Sequence, residues 1–241
     1  MKDFLFEFYF YKTLINTNDE VKKINQFSKK NNNIALFSVQ QTVGRGRINR
    51  KWISRKGDLT CSFLINREFK LKEIGQINLW FSHILISLLK KKFPKQKFKI
   101  KWPNDIYLED RKLAGILIET IILKNNIQNL IIGLGLNFVS SPKNLENKTI
   151  SISCFAKKQN PINFFILLTN ELNDSLKKFK KFAFKIEKHS LQNFKDFGKT
   201  IKIKSKGKIF KGIFFGIGNN GEMILKKMIK QILLVLEILF D

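Results

Sequence analysis

The sequence predicts an α+β protein in which a mixed, mostly antiparallel sheet packs against helices and a small β-rich unit follows at the C-terminus. Between residues 98 and 139, strand-like segments follow one another with only short turns between them, a pattern typical of antiparallel neighbours. Helical periodicity is confined to a few longer segments. From about Gly198 the pattern changes to short strands separated by turns such as Asn219-Asn220-Gly221. We therefore expect a larger domain over residues 1–196 and a smaller one over residues 197–241.

The predicted helices and strands have recognisable boundaries. Thr17-Asn18-Asp19-Glu20 matches a capping box, and Asn160-Pro161 supplies an N-cap followed by a proline at the first helical position. Leu113 to Leu123 is apolar enough for a strand buried on both faces. In chain order we predict a strand within 1–12, a helix at 18–31, strands at 35–39 and 59–65, a helix at 73–92, strands at 98–102, 106–109, 112–123 and 127–139, a helix from 161 to about 182, and strands at 200–204, 208–215 and 222–225.

The composition is that of a globular protein with a strong positive charge. Its 241 residues are 44% hydrophobic and 12% aromatic, which is ample for a core. A net charge of +26 would ordinarily indicate nucleic acid or an anionic membrane surface as a partner, but the lysines are spread along the whole chain. A basic nucleic-acid-binding protein therefore remains the alternative function from a different class.

Cysteine spacing and the terminal segments exclude several kinds of protein. Cys61 and Cys154 have neither metal nor disulfide spacing and lie in strand-like apolar contexts, so we expect reduced core residues and no zinc site. Residues 1–12 include two acidic residues and lack the apolar region of a signal peptide. Ile232 to Phe240 is far shorter than the ~20 residues that span a bilayer. These features predict a cytoplasmic protein without a membrane segment.

The densest group of chemically useful side chains lies between residues 101 and 119. Lys101-Trp102-Pro103-Asn104-Asp105 is followed by Lys112-Leu113-Ala114-Gly115-Ile116-Leu117-Ile118-Glu119, and a tight turn at Asp110-Arg111 separates them. Asp105 and Lys112 should then lie near opposite ends of adjacent strands. From the local pattern alone, Asp105 is equally well explained as a turn cap and Lys112 as a solvated lysine.

A second group, Gln41-Thr42-Val43-Gly44-Arg45-Gly46-Arg47, alternates glycine with arginine. The chain has six arginines, and four of them lie between residues 45 and 55. Glycine lets the backbone approach an anion closely, and a guanidinium fork donates two parallel hydrogen bonds to a carboxylate or phosphate. The segment therefore predicts an anion site, with a ligand-free basic loop as the alternative. It matches neither the dinucleotide fingerprint nor a P-loop.

Together with Ile132-Gly133-Leu134-Gly135-Leu136-Asn137, these two groups resemble the biotin protein ligases in order and approximate spacing, over roughly residues 14 to 140. The resemblance implies the catalytic fold of biotin and lipoate ligases, which is like that of class II aminoacyl-tRNA synthetases, and a small C-terminal SH3-like barrel. It also implies two half-reactions. Biotin and ATP form biotinyl-5′-AMP and pyrophosphate, and a lysine of the biotin carboxyl carrier protein of acetyl-CoA carboxylase then takes the biotinyl group. Mg²⁺ is expected with ATP, and its ligands in this chain are not identified.

The resemblance also implies a role for individual residues. Lys112, Arg47 and Asp105 would be catalytic. Lys112 would contact the carboxyl oxygen and the bridging phosphate, Arg47 would hold the adenylate, and Asp105 would orient the acceptor lysine. Gly115 would leave room beside the ligand. The residues expected to bind biotin are Asn16, Thr17, Asn18, Gln41, Gly44, Arg45, Gly46, Arg47, Lys112 and Gly115. Those expected to bind ATP are Arg45, Arg47, Asn104, Lys112 and Asn137, with a turn-capping role as the alternative for Asn137.

Several positions depart from the family pattern. Asn16 stands where serine is common, Val43 where alanine is usual and Asn49 where a glycine is usual, and Leu233 to Phe240 lacks the glycine that often precedes the final strand. None of these changes removes a proposed catalytic group. The three tryptophans, Trp52, Trp80 and Trp102, could stack on a ligand, but we expect each to be a packed core residue.

The closest alternative function is that of a lipoate-protein ligase, which shares the fold and the adenylation chemistry. The glycine–arginine segment favours biotin. About 40 residues precede that segment and are taken up by a strand and a helix, so we expect no helix-turn-helix domain and no binding to a DNA operator. The sequence leaves a homodimer open.

Overall fold

The computed structural model describes residues 6–27, 32–48, 50–123, 126–142, 148–179, 188–205, 207–226 and 233–236. Its strands are β1 (Phe6–Tyr11), β2 (Asn33–Ser38), β3 (Gly44–Arg45), β4 (Lys51–Trp52), β5 (Leu59–Ile65), β6 (Phe69–Lys70), β7 (Phe98–Lys101), β8 (Asp105–Leu108), β9 (Arg111–Leu123), β10 (Asn126–Leu136), β11 (Thr200–Ser205), β12 (Lys208–Ile217), β13 (Met223–Lys226) and β14 (Leu233–Leu236). Its helices are α1 (Thr17–Phe27), α2 (Ile74–Lys92) and α3 (Pro161–Lys178), with short 3-10 helices at Leu71–Glu73, Ile152–Cys154 and Lys188–Asn193. Across these ranges, no helix has both the length and the apolar character needed to cross a bilayer.

The larger sheet is mixed and mostly antiparallel, as predicted. Its strand order is β1-β2-β5-β10-β9-β8-β7, and β6 pairs with β10. Strands β1 and β2 are parallel, whereas the other adjacent pairs are antiparallel. A second sheet, in the order β11-β12-β13-β14, is antiparallel throughout. This small sheet is consistent with an SH3-like unit, although its described strands do not close into a barrel.

Helices cover both faces of the central strands. Alternate residues of a strand point to opposite faces, so Leu64 packs with Val21 of α1 on one side. On the other side, Phe63 contacts Phe81 of α2 and Phe165 of α3, with ring centroids 5.8 and 5.7 Å apart. Every residue of β5 is buried as a result.

Strand β9 differs from the prediction that it is buried on both faces. Leu113, Ala114 and Ile116 are buried, but residues 117–121 are only partly buried and Ile122 is 53% exposed. The helix α1 packs on β2, β5 and β10, and an open cavity lies over β9 instead. The apolar composition of β9 therefore overstated its burial.

The start of α1 also corrects the sequence prediction. The Asn16 side-chain oxygen accepts hydrogen bonds from the backbone N–H groups of Asn18 and Asp19, at 2.9 and 3.2 Å. Asn16 is therefore the N-cap, and the prediction that Thr17 caps the helix was wrong. Because Thr17 does not serve as the cap, its hydroxyl is available to Gln41.

Helix α3 begins as predicted. The Asn160 side chain accepts from the backbone N–H groups of Ile162 and Asn163, at 2.8 and 3.3 Å, with Pro161 at the first helical position. The helix ends at Lys178, and the predicted end at 182 lies outside the described residues.

The two cysteines differ in environment. Cys61 lies in the core, and burial raises the pKa of its thiol. Cys154 is exposed in a 3-10 helix, so the expectation of a second core cysteine was wrong. A hydrogen bond with the side chain of Ser151 lowers the pKa of the Cys154 thiol.

The C-terminal sheet is fixed to the larger sheet by shared core residues. Phe214, Met223 and Leu225 belong to the main hydrophobic core. The backbone N–H of Lys195 donates to Ile100 O at 2.7 Å, and the Trp102 Nε1–H donates to Gly221 O at 3.0 Å. These contacts hold β11 beside the turn between β7 and β8. The division into domains 1–196 and 197–241 stays a prediction.

Candidate active site

A cavity of about 1050 Å³ lies where the N-terminus of α1, the β3–β4 hairpin, the β7–β8 turn, β9, β10 and β11 meet. Pockets for small ligands typically have volumes of about 300–1,000 Å³, so this one lies at the upper end of that range. Its described walls contain one acidic residue, Asp105. The basic residues in the walls are Arg45, Arg47, Arg50, Lys51, Lys101, Lys112, Lys202 and Lys204.

One end of the cavity is lined by uncharged polar side chains. The Thr17 hydroxyl donates to Gln41 Oε1 at 3.1 Å, and the Thr17 backbone N–H donates to the same oxygen at 2.9 Å. Beneath them, the Ser62 hydroxyl lies 2.6 Å from Asn18 Oδ1 and 2.7 Å from Thr17 Oγ1. Together with Asn16, these residues form a hydrogen-bonded polar floor, defined here as Asn16, Thr17, Asn18, Gln41 and Ser62.

Ser62 was not among the predicted site residues. It is fully buried in β5, between the apolar Cys61 and Phe63. A serine inside a mostly apolar strand is a signal that the sequence does offer, because a buried hydroxyl needs a hydrogen-bonding partner.

Glycines of β9 and β10 make room for two side chains of the walls. A Cβ atom on Gly133 would lie 2.5 Å from Asn18 Oδ1, and one on Gly135 would overlap the indole ring of Trp52. A Cβ atom on Gly115 would lie 3.1 Å from Trp52 Cζ3 and 3.4 Å from Lys112 Nζ. Gly115 therefore provides clearance for protein side chains as well as for a ligand.

The tryptophans have different positions. Trp52 lies in the cavity wall with the Lys112 ammonium 5.5 Å from its ring centroid, so the expectation that it is a core residue was wrong. Trp80 is a core residue at 5% exposure. Trp102 packs partly against the core and also lines the cavity.

Lys112 and Asp105 form an ion pair inside the cavity. Lys112 Nζ lies 2.7 Å from Asp105 Oδ1, and each side chain is 22% exposed. In the strand register Asp105 lies opposite Gly115, and Lys112 lies opposite Tyr107. The backbones are offset as predicted, but the lysine side chain reaches the carboxylate. Lys112 is therefore not a solvated hairpin lysine.

The two asparagines predicted near ATP also hold the local structure. Asn104 Nδ2 donates to Ile116 O at 2.6 Å, which fixes the β7–β8 turn against β9. Asn137 is buried, and its Nδ2 donates to Ile150 O at 3.1 Å and to Lys112 O at 3.3 Å. Both residues line the cavity, so a ligand role would be additional to these contacts.

Arg45 is engaged by acidic residues of the chain itself. Its guanidinium nitrogens lie 2.6 Å from both Asp19 carboxylate oxygens and 3.4 Å from Glu119 Oε1. The hydrogen bonds from Arg45 lower the pKa of Asp19, and the same bonds raise the pKa of Arg45. Asn18 Nδ2 donates to Glu119 Oε2 at 3.0 Å, so this ion-pair group connects the polar floor to the β3–β4 hairpin. Sequence reasoning missed Asp19 and gave Glu119 no role.

The two glycines of the glycine–arginine segment have different surroundings. Gly44 is buried and outside the cavity wall, and a Cβ atom there would overlap Trp52 O. Gly46 lies in the wall, and a Cβ atom there would meet nothing closer than Arg50 O at 3.5 Å. Arg47 follows it as a half-buried residue of the wall. Of the predicted site residues, Gly44 is therefore the one that the structure keeps out of the cavity.

Comparisons with known proteins agree with this architecture. The Biotin/lipoate A/B protein ligase family matches residues 10–137. Bifunctional ligase/repressor BirA of Escherichia coli is 28% identical over 208 residues, which are 80% of this chain and 61% of BirA. Biotin--[acetyl-CoA-carboxylase] ligase of Paracoccus denitrificans is 28% identical over 108 residues, 44% of this chain and 45% of that protein. The chain thus spans less than two thirds of these relatives.

Solved structures show the same fold. Biotin protein ligase from Aquifex aeolicus, in complex with biotin and ATP, superimposes with a TM-score of 0.79 at 24% identity and covers 95% of each chain. The biotin protein ligase of Leishmania major in complex with biotinyl-5-AMP gives a TM-score of 0.64 at 18% identity, over 96% of this chain and 99% of that one. The predicted α+β ligase fold is therefore confirmed. Because the family match takes in more than half of the sequence, the chain belongs to the biotin/lipoate A/B protein ligase family.

Proposed function

We propose that this protein activates biotin with ATP as biotinyl-5′-AMP and transfers the biotinyl group to a lysine of a biotin carboxyl carrier protein, such as that of acetyl-CoA carboxylase. The observation that carries the proposal is one cavity with an uncharged polar floor and strongly basic walls. The uncharged polar floor suits the head group of biotin. The basic walls suit the biotin carboxylate beside the polyphosphate of ATP. The Paracoccus denitrificans relative named as a biotin ligase and the Aquifex aeolicus structure with biotin and ATP support the same substrate.

The polar floor favours biotin over lipoate. Biotin's ureido ring has two N–H donors and one carbonyl acceptor, whereas the dithiolane ring of lipoate offers no comparable donors. Gln41, Thr17 and Asn18 present amide and hydroxyl groups at the floor, and Ser62 supports them from below. These groups use part of their hydrogen-bonding capacity within the chain, and the remainder, such as the second lone pair of Asn18 Oδ1, can pair with a ureido ring but not with an apolar ring. This difference separates the two ligase substrates more sharply than the shared adenylation chemistry does.

In the first half-reaction a biotin carboxylate oxygen attacks the α-phosphorus of ATP. The bond between that phosphorus and the oxygen bridging to the β-phosphate breaks, and pyrophosphate leaves with the bonding electrons. Two anions must approach each other, so fixed cations lower the barrier. We assign this task to Arg47 and Lys112 in the cavity wall. The 2.7 Å ion pair with Asp105 positions the Lys112 ammonium before a ligand arrives.

In the second half-reaction the acceptor lysine attacks the biotinyl carbonyl carbon. A C–N bond forms, the bond from that carbon to the phosphate oxygen breaks, and AMP leaves. The incoming amine has a reference pKa of about 10.4 and must lose a proton before attack. Asp105 is the acidic residue of the described walls and is assigned the role of orienting the ammonium and assisting its deprotonation.

Mg²⁺ is expected to accompany ATP, and the described residues do not form a cage for it. No group of three or more His, Cys, Asp or Glu side chains within them could hold a metal ion. Asp105 is engaged by Lys112. Mg²⁺ commonly reaches such sites coordinated by substrate phosphates and water, so the steps above use side chains of the chain alone.

The test is transfer of labelled biotin to a purified carrier domain in the presence of ATP, with lipoate as the competing substrate. Lys112→Ala should lower adenylate formation by about 10²- to 10³-fold, because a fixed cation at the reacting oxygens is lost. Lys148→Ala is the matched control. Lys148 is exposed and lies outside the cavity wall, and its backbone oxygen, which the substitution retains, accepts from the N–H of Lys112 at 2.8 Å.

Two results would contradict the proposal. Use of lipoate without use of biotin would reassign the substrate. Equal activity of the Lys112→Ala and Lys148→Ala variants would remove Lys112 from the reaction, provided that both variants have the circular dichroism spectrum of the folded protein.

A further inference from the structure

We propose that Lys202 and Lys204 of the C-terminal sheet form a polyphosphate subsite that holds the β- and γ-phosphates of ATP and then the leaving pyrophosphate. The inference rests on the proposed function and gives the small sheet a role in the first half-reaction. It adds a ligand-binding segment that lies more than 60 residues beyond the matched family region.

Lys202 and Lys204 both belong to the cavity wall. They lie two residues apart on β11, so their side chains emerge from the same face of the strand. Both residues are exposed and line the cavity together with the intervening Ile203. Neither ammonium is in an ion pair with another described residue, in contrast to Lys112 and Arg45.

Two of the basic residues in the cavity wall are already paired with acidic residues of the chain, so additional cations are needed. Asp19 and Glu119 engage Arg45, and Asp105 engages Lys112. ATP brings several negative charges that these partly neutralised cations must share with the biotin carboxylate. The lysines of β11 supply two further positive charges on a different wall. This arrangement suits the distal phosphates, while Arg47 and Lys112 serve the α-phosphate.

The position of β11 is fixed by contacts outside the lysines. Trp102 Nε1 donates to Gly221 O at 3.0 Å, and Trp102 adjoins Pro103 and Asn104 in the same cavity wall. A Cβ atom on Gly221 would lie 2.5 Å from the carbonyl carbon of Gly75, so the β12–β13 turn also lies directly against α2. Ile203, between the two lysines, packs against the main core. The two ammonium groups are therefore carried by a strand anchored beside the site.

The experiment compares two double variants that remove the same number of charges from the same sheet. Lys202→Ala/Lys204→Ala removes the proposed subsite. Lys208→Ala/Lys211→Ala is the control, because both of these lysines are exposed on the neighbouring β12 and neither lines the cavity. Lys202→Arg/Lys204→Arg tests rescue by retained charge.

For Lys202→Ala/Lys204→Ala we expect the KM for ATP and the inhibition constant of pyrophosphate to rise about tenfold, as for the loss of two partly exposed ion contacts. The KM of the wild type should also rise more steeply with added salt than that of this variant, because salt screens phosphate contacts. The affinity for biotin, and the transfer from chemically prepared biotinyl-5′-AMP to a carrier domain, should stay within about twofold of the wild type. The Arg variant should retain the wild-type KM for ATP.

Three results would overturn the subsite. In the first, Lys202→Ala/Lys204→Ala leaves the KM for ATP and the inhibition constant of pyrophosphate unchanged. In the second, the control variant Lys208→Ala/Lys211→Ala raises both constants equally. In the third, Lys202→Ala/Lys204→Ala slows the transfer from preformed biotinyl-5′-AMP. The last result would instead assign the lysines to an acidic face of the carrier. If the wild type forms no biotinyl-5′-AMP at all, the proposed function fails. Calorimetric titration with inorganic pyrophosphate would then still test the lysine pair.

Discussion

Asp58 is a buried carboxylate whose replacement should destabilise the loop that follows β10. Its Oδ1 accepts hydrogen bonds from the backbone N–H groups of Phe138, Val139 and Ser140, at 3.0, 2.9 and 2.9 Å. Its Oδ2 accepts from the Ser140 hydroxyl at 2.7 Å and from the Arg55 N–H at 3.0 Å. Asp58 is 2% exposed, so water does not readily replace these acceptors.

The expected decrease in the free energy of unfolding depends on which hydrogen-bond donors lose their acceptor. In Asp58→Asn the amide oxygen can still accept from the three backbone N–H groups, but the amide nitrogen faces the Arg55 N–H and the Ser140 hydroxyl. The hydroxyl can rotate, whereas the backbone N–H cannot. Asp58→Asn therefore loses one hydrogen bond to a charged acceptor, and we expect its free energy of unfolding to fall by about 2 kcal/mol. In Asp58→Ala all five donors lose the carboxylate, and we expect about 3–5 kcal/mol, in the range found when a buried charged partner is removed.

Urea unfolding followed by circular dichroism measures these costs. At a slope of about 2 kcal/mol/M, the Asn variant should unfold at a urea concentration about 1 M lower than the wild type. Ser140→Ala, which removes the hydroxyl alone, should cost about 1 kcal/mol. Asp174→Asn is the same substitution at an exposed position of α3 and should cost less than about 0.5 kcal/mol. Equal costs for the Asn and Ala variants of Asp58, or a cost for Asp58→Asn no larger than that of the control, would refute the reasoning.

The remaining predictions concern the cavity and its surroundings. Asp19→Asn removes the charge that holds the Arg45 fork, so gel filtration should show biotinyl-5′-AMP leaving the protein several times faster; slower release would mean that Asp19 competes with the ligand for Arg45. Gly135→Ala should displace Trp52 and weaken biotin binding at least about tenfold in calorimetry, and an unchanged Trp52 fluorescence spectrum would contradict this. Burial raises the pKa of Tyr107 to about 12, with smaller contributions from nearby carboxylates. Because folding favours the neutral phenol, the contribution of Tyr107 to stability is complete below about pH 10 and is lost as the pH rises towards 12. Absorbance at alkaline pH should show one tyrosine that ionises after the others.

Local sequence chemistry predicted the parts of the site that depend on neighbours in the chain. The N-cap at Asn160 and the succession of antiparallel strands from β7 to β10 follow from residues within about one helical turn or one hairpin, whereas the 2.7 Å contact of Lys112 with Asp105 was not predicted. The exchange of roles between Asn16 and Thr17 shows the limit of this reasoning. Both residue types can cap a helix, and the choice depends on Gln41, which lies 24 residues further along the chain.

Contacts between distant segments could not be obtained from pattern and spacing. Asn18 and Glu119 are separated by 101 residues and form a hydrogen bond of 3.0 Å. Trp52 has the composition of a core residue, and only the space left by Gly115 and Gly135 brings it into the cavity wall. The apolar sequence of β9 predicts burial, but it cannot show that a cavity replaces a covering helix on one side.

The glycine–arginine repeat shows how one sequence pattern supplies two different functions. Gly44 is required because the backbone of Trp52 lies against it, and the adjacent Arg45 is bound by Asp19 and Glu119. A Cβ atom on Gly46 would lie no closer than 3.5 Å to another protein atom, and Arg47 beside it lines the cavity. The first pair therefore fastens the hairpin to α1 and β9, and the second faces the ligand. Since the acids that hold Arg45 also neutralise it, the positive charge offered to substrate comes mainly from other residues of the wall, which is why the lysines of β11 matter to the proposed chemistry.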